Sequence, residues 1–388
     1  MSATEKPALT VLIDALEEES DPMRVEIRSR LEKQFPSYEA LPDEVLEAHL
    51  RLSLERTLAS TRTLSRSDAE SELAALAEVG EAEAEHGIPI DDLLGVWRIG
   101  LQVVVARARE LAAVLDLGDA AALDFVQRVL AWSDVAMGAT ARAHRAAELE
   151  ISRRDQGRRA AFTAGVLQGT LAAAVIRKEA NAHGIDMRRE YVAIRGRPAD
   201  GMASWQLERA LGFHTAAPHR SGLSTVIDGD VAGFLSSAPK ELAEGLVGIG
   251  PPRTVEQLAE SFRVATRAMT TAAGFGLTGL HDLGSLGVRP AIAADHDVAE
   301  ALGARYLAPV AATASGREIL STLTSWFEHD MHVERAAEAL HIHQNTLRYR
   351  IARFEELTGT SLRDTNVALE VWWALQAAAA IAGGDDQN

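Results

Sequence analysis

The chain has 388 residues, 47% of them apolar, no cysteine and a formal net charge of −17. That length holds about two or three domains with substantial cores, and the lack of cysteine excludes disulfides, iron–sulfur clusters and thiol catalysis. The opening MSATEKPALT lacks the basic-then-apolar order of a signal peptide, and no run of about twenty apolar residues marks a membrane span, so a cytoplasmic protein with no membrane partner is expected.

Residues 1–147 are expected to be all-helical. Leu9, Leu12, Ile13 and Leu16 form one apolar stripe, and Val45, Leu46, Leu50, Leu52, Leu54 and Leu58 supply another. Ile88-Pro89-Ile90 followed by Asp91 and Asp92 predicts a loop entering a helix, with Leu93, Leu94, Trp97 and Leu101 facing a core. Ala-, Leu-, Glu- and Arg-rich runs continue through Asp124 to Arg145, so a helical bundle for sensing or dimerisation is the natural architecture. His49, Glu83, Glu85 and His86 have metal-ligating chemistry, but the expected reading is solvated helix ends.

Residues 148–160 read as a charged linker helix, part of an alanine-rich stretch from Arg142 to Arg159 that carries Arg153, Arg154, Arg158 and Arg159. It could serve as a signalling helix that pairs in a dimer, although its heptads are too few to specify a coiled coil.

Residues 161–313 change to a mixed α+β pattern. Phe162 to His183 is expected to be helical and Tyr191–Ile194 a strand. Ser224–Ile227, the turn Asp228-Gly229-Asp230 and Val231–Leu235 predict a hairpin, and Leu246–Gly250 another short strand. Thr254 and Gln257 suggest a capping box for a helix from Val255 to Ala273. Gly274-Phe275-Gly276-Leu277-Thr278-Gly279 matches a dinucleotide fingerprint in letters only; it follows a helix, so a loop between helix and strand is expected. Asp228 and Asp230 are read as turn residues first.

Residues 314–388 carry the most informative stretch, VERAAEALHIHQNTLRYRIARF from Val333 to Phe354. It predicts a short helix, a tight turn and a second helix. Ala336, Ala337 and Leu340 line the first helix, Ile342 sits in the turn, and Leu347, Ile351 and Phe354 recur at helical spacing in the second. Small alanines allow the close crossing of a helix-turn-helix unit. His341 stands where this turn usually has glycine. The candidate DNA-binding residues are His343, Gln344, Asn345, Thr346, Arg348, Tyr349, Arg350 and Arg353. Gln344 and Asn345 suit adenine, Arg348 suits guanine, the Thr346 methyl suits thymine, and Arg353, two turns later, suits phosphate. Upstream, Ser315 and Glu318 suggest a capping box for a helix from Arg317 to Glu328, with Leu320, Leu323, Trp326 and Phe327 buried. Downstream, Gly359 is a C-cap candidate, Ser361 and Asp364 form a turn, and Asn366 is expected to cap a last helix running to about Ile381. The tryptophans there are read as core. His329, His332, His341 and His343 lie close in sequence but match no zinc spacing, so no metal is assigned; a pH effect on DNA binding is the simpler expectation.

Ile342, His343, Asn345, Thr346, Leu347, Tyr349 and Arg350, followed by Glu356-Leu357-Thr358-Gly359, resemble the C-terminal helix-turn-helix of the PucR/CdaR family of bacterial transcription regulators, and also the Fis-type motif. The specific words cover roughly the last fifth of the chain. The helix, strand, hairpin, strand, helix order of the middle segment resembles the GGDEF-like domain of the same family. The Gly-Gly-acidic word of active cyclases is missing, which implies a degenerate, noncatalytic copy. HGIPIDDLLGVWRIG resembles the helical N-terminal domain of RsbR-type sensors.

The expectation is a multidomain, mostly α protein: an N-terminal helical bundle, an α+β GGDEF-like middle domain and a C-terminal all-α helix-turn-helix domain. Its expected partner is double-stranded DNA, which it reads as a transcription regulator and a homodimer or higher even oligomer. No catalytic residue, cofactor or metal is assigned, and an unknown small-molecule effector is one option for the upstream domains. The alternatives are a stress-signalling scaffold that binds protein partners and a nucleotide-binding, cyclase-like enzyme. The charge of −17 opposes DNA binding, yet it is spread along the chain and screened beyond roughly 8 Å at physiological salt, so a local basic face can dock. Weak nonspecific affinity and a need for two recognition helices follow.

Overall fold

The computed structural model describes residues 7–62, 66–213, 222–242 and 244–385. They fall into two compact units, Met1–Gln156 and Gly157–Asn388.

The first unit is all-helical. It contains α1 (Ala8–Glu18), α2 (Ser20–Gln34), a 3-10 turn at Pro36–Ala40, α3 (Asp43–Arg62), α4 (Arg66–Glu85), α5 (Ile90–Val114) and the first part of α6 (Asp119–Gln168). Leu46, Leu50, Leu54 and Leu58 repeat every fourth residue on α3 and are all buried, against Leu12, Ile13 and Leu16 of α1, Ile99 and Val103 of α5, and Phe125 and Val129 of α6. Each such side chain contributes about 1.5–3 kcal/mol on leaving water. Pro89 is extended and precedes α5, and Asp91 and Asp92 lie in the first turn, where carboxylates complement the helix dipole. One expectation fails here. Glu83 is not a solvated helix end: it is buried, and the Tyr38 hydroxyl donates to its Oε2 at 2.7 Å. His49 is also largely buried, while Glu85 and His86 are exposed.

α6 is longer than its sequence suggests. The run to Arg145, the linker 148–160 and the helix expected from Phe162 are one 50-residue helix that passes through the boundary between the units. Its charge changes along its length, but no proline interrupts it and Gly138 and Gly157 are accommodated within the helix, so the backbone ladder continues. The helix expected to reach His183 stops instead at Gln168; α7 (Ala173–Ala180) and a 3-10 turn, Asn181–His183, follow.

The second unit begins with a sheet whose strands are β1 (Glu190–Arg197), β2 (Gly222–Ile227), β3 (Asp230–Leu235), β4 (Leu246–Ile249), β5 (Arg253–Thr254) and β6 (Gly279–His281). Their order is β2-β3-β1-β4-β6, with β5 paired to the start of β1. The β2–β3 hairpin forms as expected, Ile227 opposite Asp230, and its turn places Asp228 and Gly229 at φ +52° and +83°. Such positive angles match the twist of a tight hairpin. β4 and β6 are parallel, joined through α9 (Leu258–Gly274). α8 (Ser204–Leu211) packs Leu207 and Leu211 on the sheet. α9 seats closely: a Cβ on Gly248 would stand 2.0 Å from the Ala265 carbonyl oxygen, and one on Gly250 2.1 Å from that of Ser261. The Ser261 hydroxyl accepts from the Ala193 amide at 3.1 Å and donates to the Pro251 carbonyl at 2.6 Å, tying helix to sheet. The Thr254 and Gln257 capping box does not form; Val255–Gln257 is a 3-10 turn without a side-chain cap. The glycine-rich Gly274–Gly279 segment links α9 to β6, as expected.

Short helices α10 (Leu283–Leu286), α11 (Arg289–Ala294), α12 (His296–Leu302) and α13 (Ala308–Ala311) lead to α14 (Gly316–Glu328), α15 (Val333–Ala339), α16 (Gln344–Thr358) and α17 (Thr365–Asp385). The core under the last four draws in Tyr306 and Val310, upstream of Ala314. The chain is thus mostly helical with a small sheet, the coarse class its pattern predicts.

Candidate nucleic-acid interface

α15, a turn and α16 form the helix-turn-helix. Ala336, Ala337 and Leu347 are buried together, with Trp326, Val333, Leu340, Ile342 and Ile351 packed around them. The two alanines let α15 and α16 meet without intervening bulk, which sets the crossing of the pair. Phe354 lies in the adjoining cluster with Ile319, Leu323, Val371 and Leu375, so α14 and α17 buttress the far end of α16. Gly359 ends α16 at φ +66°, the left-handed conformation expected of a C-cap glycine.

Two histidines stand in the turn. His341 adopts φ +53°, where a Cβ is disfavoured, in the place usually taken by glycine. His343 is the N-cap of α16: its Nδ1 accepts from the Asn345 amide at 3.2 Å. Two of the side-chain caps expected nearby are different. Ser315 makes no side-chain cap on α14. Asp364, rather than Asn366, caps α17, its Oδ1 accepting from the Asn366 amide at 2.9 Å.

The candidate residues divide by where α16 places them. His343, Asn345, Thr346, Arg348, Tyr349 and Arg353 are exposed and Gln344 is half-buried. Tyr349 is 68% exposed, unusual for an aromatic ring without a partner surface. Arg348 lies back along the first turn, its guanidinium donating to Asn345 Oδ1 at 3.3 Å and to Gln344 Oε1 at 3.5 Å. These three side chains therefore form one polar cluster at the start of the helix. Arg350 turns the other way. It pairs with Glu318 and donates to Thr322 Oγ1 at 3.3 Å, both on α14, and only 21% of its side chain is exposed. Arg353 pairs with Glu356 at 2.8 Å in the open. The sequence reading missed Glu318 and Thr322 as anchors of the recognition helix, because they lie about thirty residues away and no local pattern links them to Arg350. Of the four neighbouring histidines, His329 is occupied by the Ser325 carbonyl, 2.8 Å from its Nδ1. No cluster of three or more His, Asp or Glu side chains suited to a metal forms among the described residues.

In the middle segment, the turn acids are engaged by arginines. Asp230 is buried, 2.8 Å from Arg195 Nε and 3.3 Å from Arg197 Nε, and Asp228 lies 3.3 Å from Arg195. Among the described residues no helix is long and apolar enough to cross a membrane.

Residues 319–377 match the PucR C-terminal helix-turn-helix domain, and residues 21–159 match the RsbT co-antagonist protein rsbRD N-terminal domain. The chain is 41% identical over 59 residues to an uncharacterized Bacillus subtilis (strain 168) protein, YsfB, covering 15% of this chain and 16% of that one. It is 36% identical over 80 residues to an uncharacterized protein of the pkwA 5′ region of Thermomonospora curvata, covering 20% and 44%. It is 38% identical over 73 residues to the carbohydrate diacid regulator of Escherichia coli (strain K12), covering 19% of each. The chain spans less than half the length of these curated relatives. Among solved structures, a regulator of polyketide synthase expression from Bifidobacterium adolescentis aligns over 59% of this chain and 98% of that one, at 18% identity and a TM-score of 0.27, too low to establish a shared overall fold.

Proposed function

We propose that this chain, which carries a PucR-type helix-turn-helix behind an rsbRD-type helical domain, is a sequence-specific bacterial transcription regulator of the PucR/CdaR kind. It acts in the cytoplasm on double-stranded DNA, as a homodimer or higher even oligomer. The observation that carries this reading is the exposed cluster at the start of α16, in which Gln344 and Asn345 hold Arg348. That end of a recognition helix enters the major groove first, and amide and guanidinium groups suit its base edges. His343, Thr346 and Tyr349 flank the cluster, Arg353 grips phosphate, and Arg350 fixes α16 on α14. A signal received upstream changes the spacing of two recognition helices, and only one spacing fits the half-sites. The middle segment serves as a noncatalytic, GGDEF-like transmitter, a reading supported by turn carboxylates neutralised by Arg195 and Arg197.

The test is binding of the full chain to fluorescent DNA from its own upstream region and to random DNA across a salt series. Tighter saturable binding to the upstream DNA, lost in the Arg348→Ala variant, supports the reading. Equal affinity for both DNAs across a broad genomic pool overturns sequence-specific regulation. The match of residues 21–159 favours a second reading, a scaffold in which the helical bundle binds protein partners. Retention of a kinase or phosphatase without DNA retention would establish it.

A further inference from the structure

The first unit contains a cavity of about 60 Å³ between α3, α4 and α5. Its walls are mainly apolar and include Leu50, Trp97 and Val104, but one side presents Tyr38, His49 and Glu83. Glu83 has only 5% of its side chain exposed. One of its oxygens accepts from the Tyr38 hydroxyl. The other lies 3.5 Å from His49 Nδ1, beyond a good hydrogen bond, and that nitrogen is buried without a partner. Among the described residues no lysine or arginine reaches Glu83. Burial and the neighbouring carboxylate push the Tyr38 phenol well above its usual range, so it stays a neutral donor and adds no compensating positive charge.

A buried carboxylate whose one basic neighbour is an imidazole at 3.5 Å, and a buried imidazole nitrogen without a hydrogen-bond partner, are both costly to keep. They stand side by side on the wall of a mainly apolar cavity that also carries the hydroxyls of Ser53, Thr57 and Ser133, which is the composition of a small-ligand site. We propose that this cavity binds a short aliphatic primary amine. The ammonium donates to the free oxygen of Glu83 and to Nδ1 of His49, and the hydrocarbon tail lies against Leu50 and Trp97. At roughly 10–15 Å³ per water-sized group, the cavity admits about four to six non-hydrogen atoms. The negative charge of Glu83 selects against a carboxylate of the same length. An alcohol can make one of the two hydrogen bonds but leaves the charge unmet. This site requires no DNA binding by the C-terminal domain, and its test uses none.

The experiment is titration of the full chain with n-butylamine, n-butanol and butyrate at constant ionic strength, read by tryptophan fluorescence and by thermal shift. A ligand of this size binds weakly, on the order of millimolar. The expected result is saturable binding of the amine, at least tenfold tighter than of the alcohol, and none of butyrate. Glu83→Gln keeps the acceptor for Tyr38 but removes the charge, and should weaken the amine at least tenfold. Gly100→Ala is the second variant. A Cβ there meets only the tip of Ile27 at 4.0 Å, so the protein folds while the added methyl takes up cavity space. It should weaken the amine at least threefold and raise the melting temperature. Equal binding of butanol and butylamine, an unchanged Glu83→Gln titration, or no saturable signal from any of the three overturns the proposal.

Discussion

Replacing Arg350 by alanine separates anchoring of the recognition helix from contact with DNA. The substitution removes an ion pair with Glu318 and a 3.3 Å hydrogen bond to Thr322. Glu318 is 64% exposed, so solvent discounts the pair to about 0.5–1 kcal/mol. The hydrogen bond, long for a charged donor, and the buried part of the arginine stem add roughly 0.5–1 kcal/mol. The total, about 1–2 kcal/mol, should lower the melting temperature of the second unit by roughly 2–6 °C. A double-mutant cycle with Glu318→Gln should give a coupling of about 0.5 kcal/mol or more. In DNA titrations, the variant should lose affinity for specific and random DNA only to the extent that it is unfolded, with the salt slope unchanged. An unchanged melt together with a salt slope shallower by about one would show that Arg350 grips a phosphate, and would refute the anchoring argument.

Arg348→Ala should cost about 1–3 kcal/mol on the specific site and much less on random DNA, read as a change in the ratio of the two dissociation constants. His341→Gly relieves the left-handed backbone at φ +53° and should stabilise the chain by about 0.5–1 kcal/mol in urea denaturation, whereas a loss would mean the imidazole packs usefully. His343→Ala deletes the α16 cap and should cost about 1 kcal/mol, with His343→Asn restoring most of it; equal melts for both would exclude capping by this side chain. Asp230→Ala leaves Arg195 and Arg197 without their buried partner and should cost about 2–4 kcal/mol by the same assay. Because the folded Tyr38 phenol sits above its ordinary value of about 10, its contribution is fully present below that pH and is lost as pH rises past it. Alkaline titration of the helical signal should therefore begin to fall above about pH 10, and Tyr38→Phe should flatten that fall.

The helix-turn-helix was legible because its evidence is local. Ala336, Ala337, Leu347 and Phe354 repeat at helical spacing, and Gly359 marks the stop. The β2–β3 hairpin was legible for the same reason, through Asp228-Gly229 between two apolar runs. Two of the failures share one cause, a partner far away in sequence. Ser315 and Glu318 have capping-box spacing, but Glu318 serves Arg350, 32 residues on. Glu83 has the letters of a solvated helix end, but its partner, Tyr38, is 45 residues back. α6 was divided where its charge pattern changes, although nothing in the backbone obliges a helix to stop there. The exposed face of α16 was identified as a set, while the inward turn of Arg350 depends on α14 and has no signature in the motif.

On the proposed function, the way α16 engages its arginines would set how long the protein rests on DNA it does not seek. Arg350 is held by Glu318 and Arg353 by Glu356, leaving Arg348 on two neutral amides. On that function, dwell on random sequence depends on the number of phosphates gripped, and an acidic chain whose recognition helix offers Arg353 but not Arg350 to phosphate would have a short dwell. Such a protein would sample the chromosome by frequent brief visits, and only a site that engages the amides of Gln344 and Asn345 would prolong the stay. Selectivity would then reside in the departure rate.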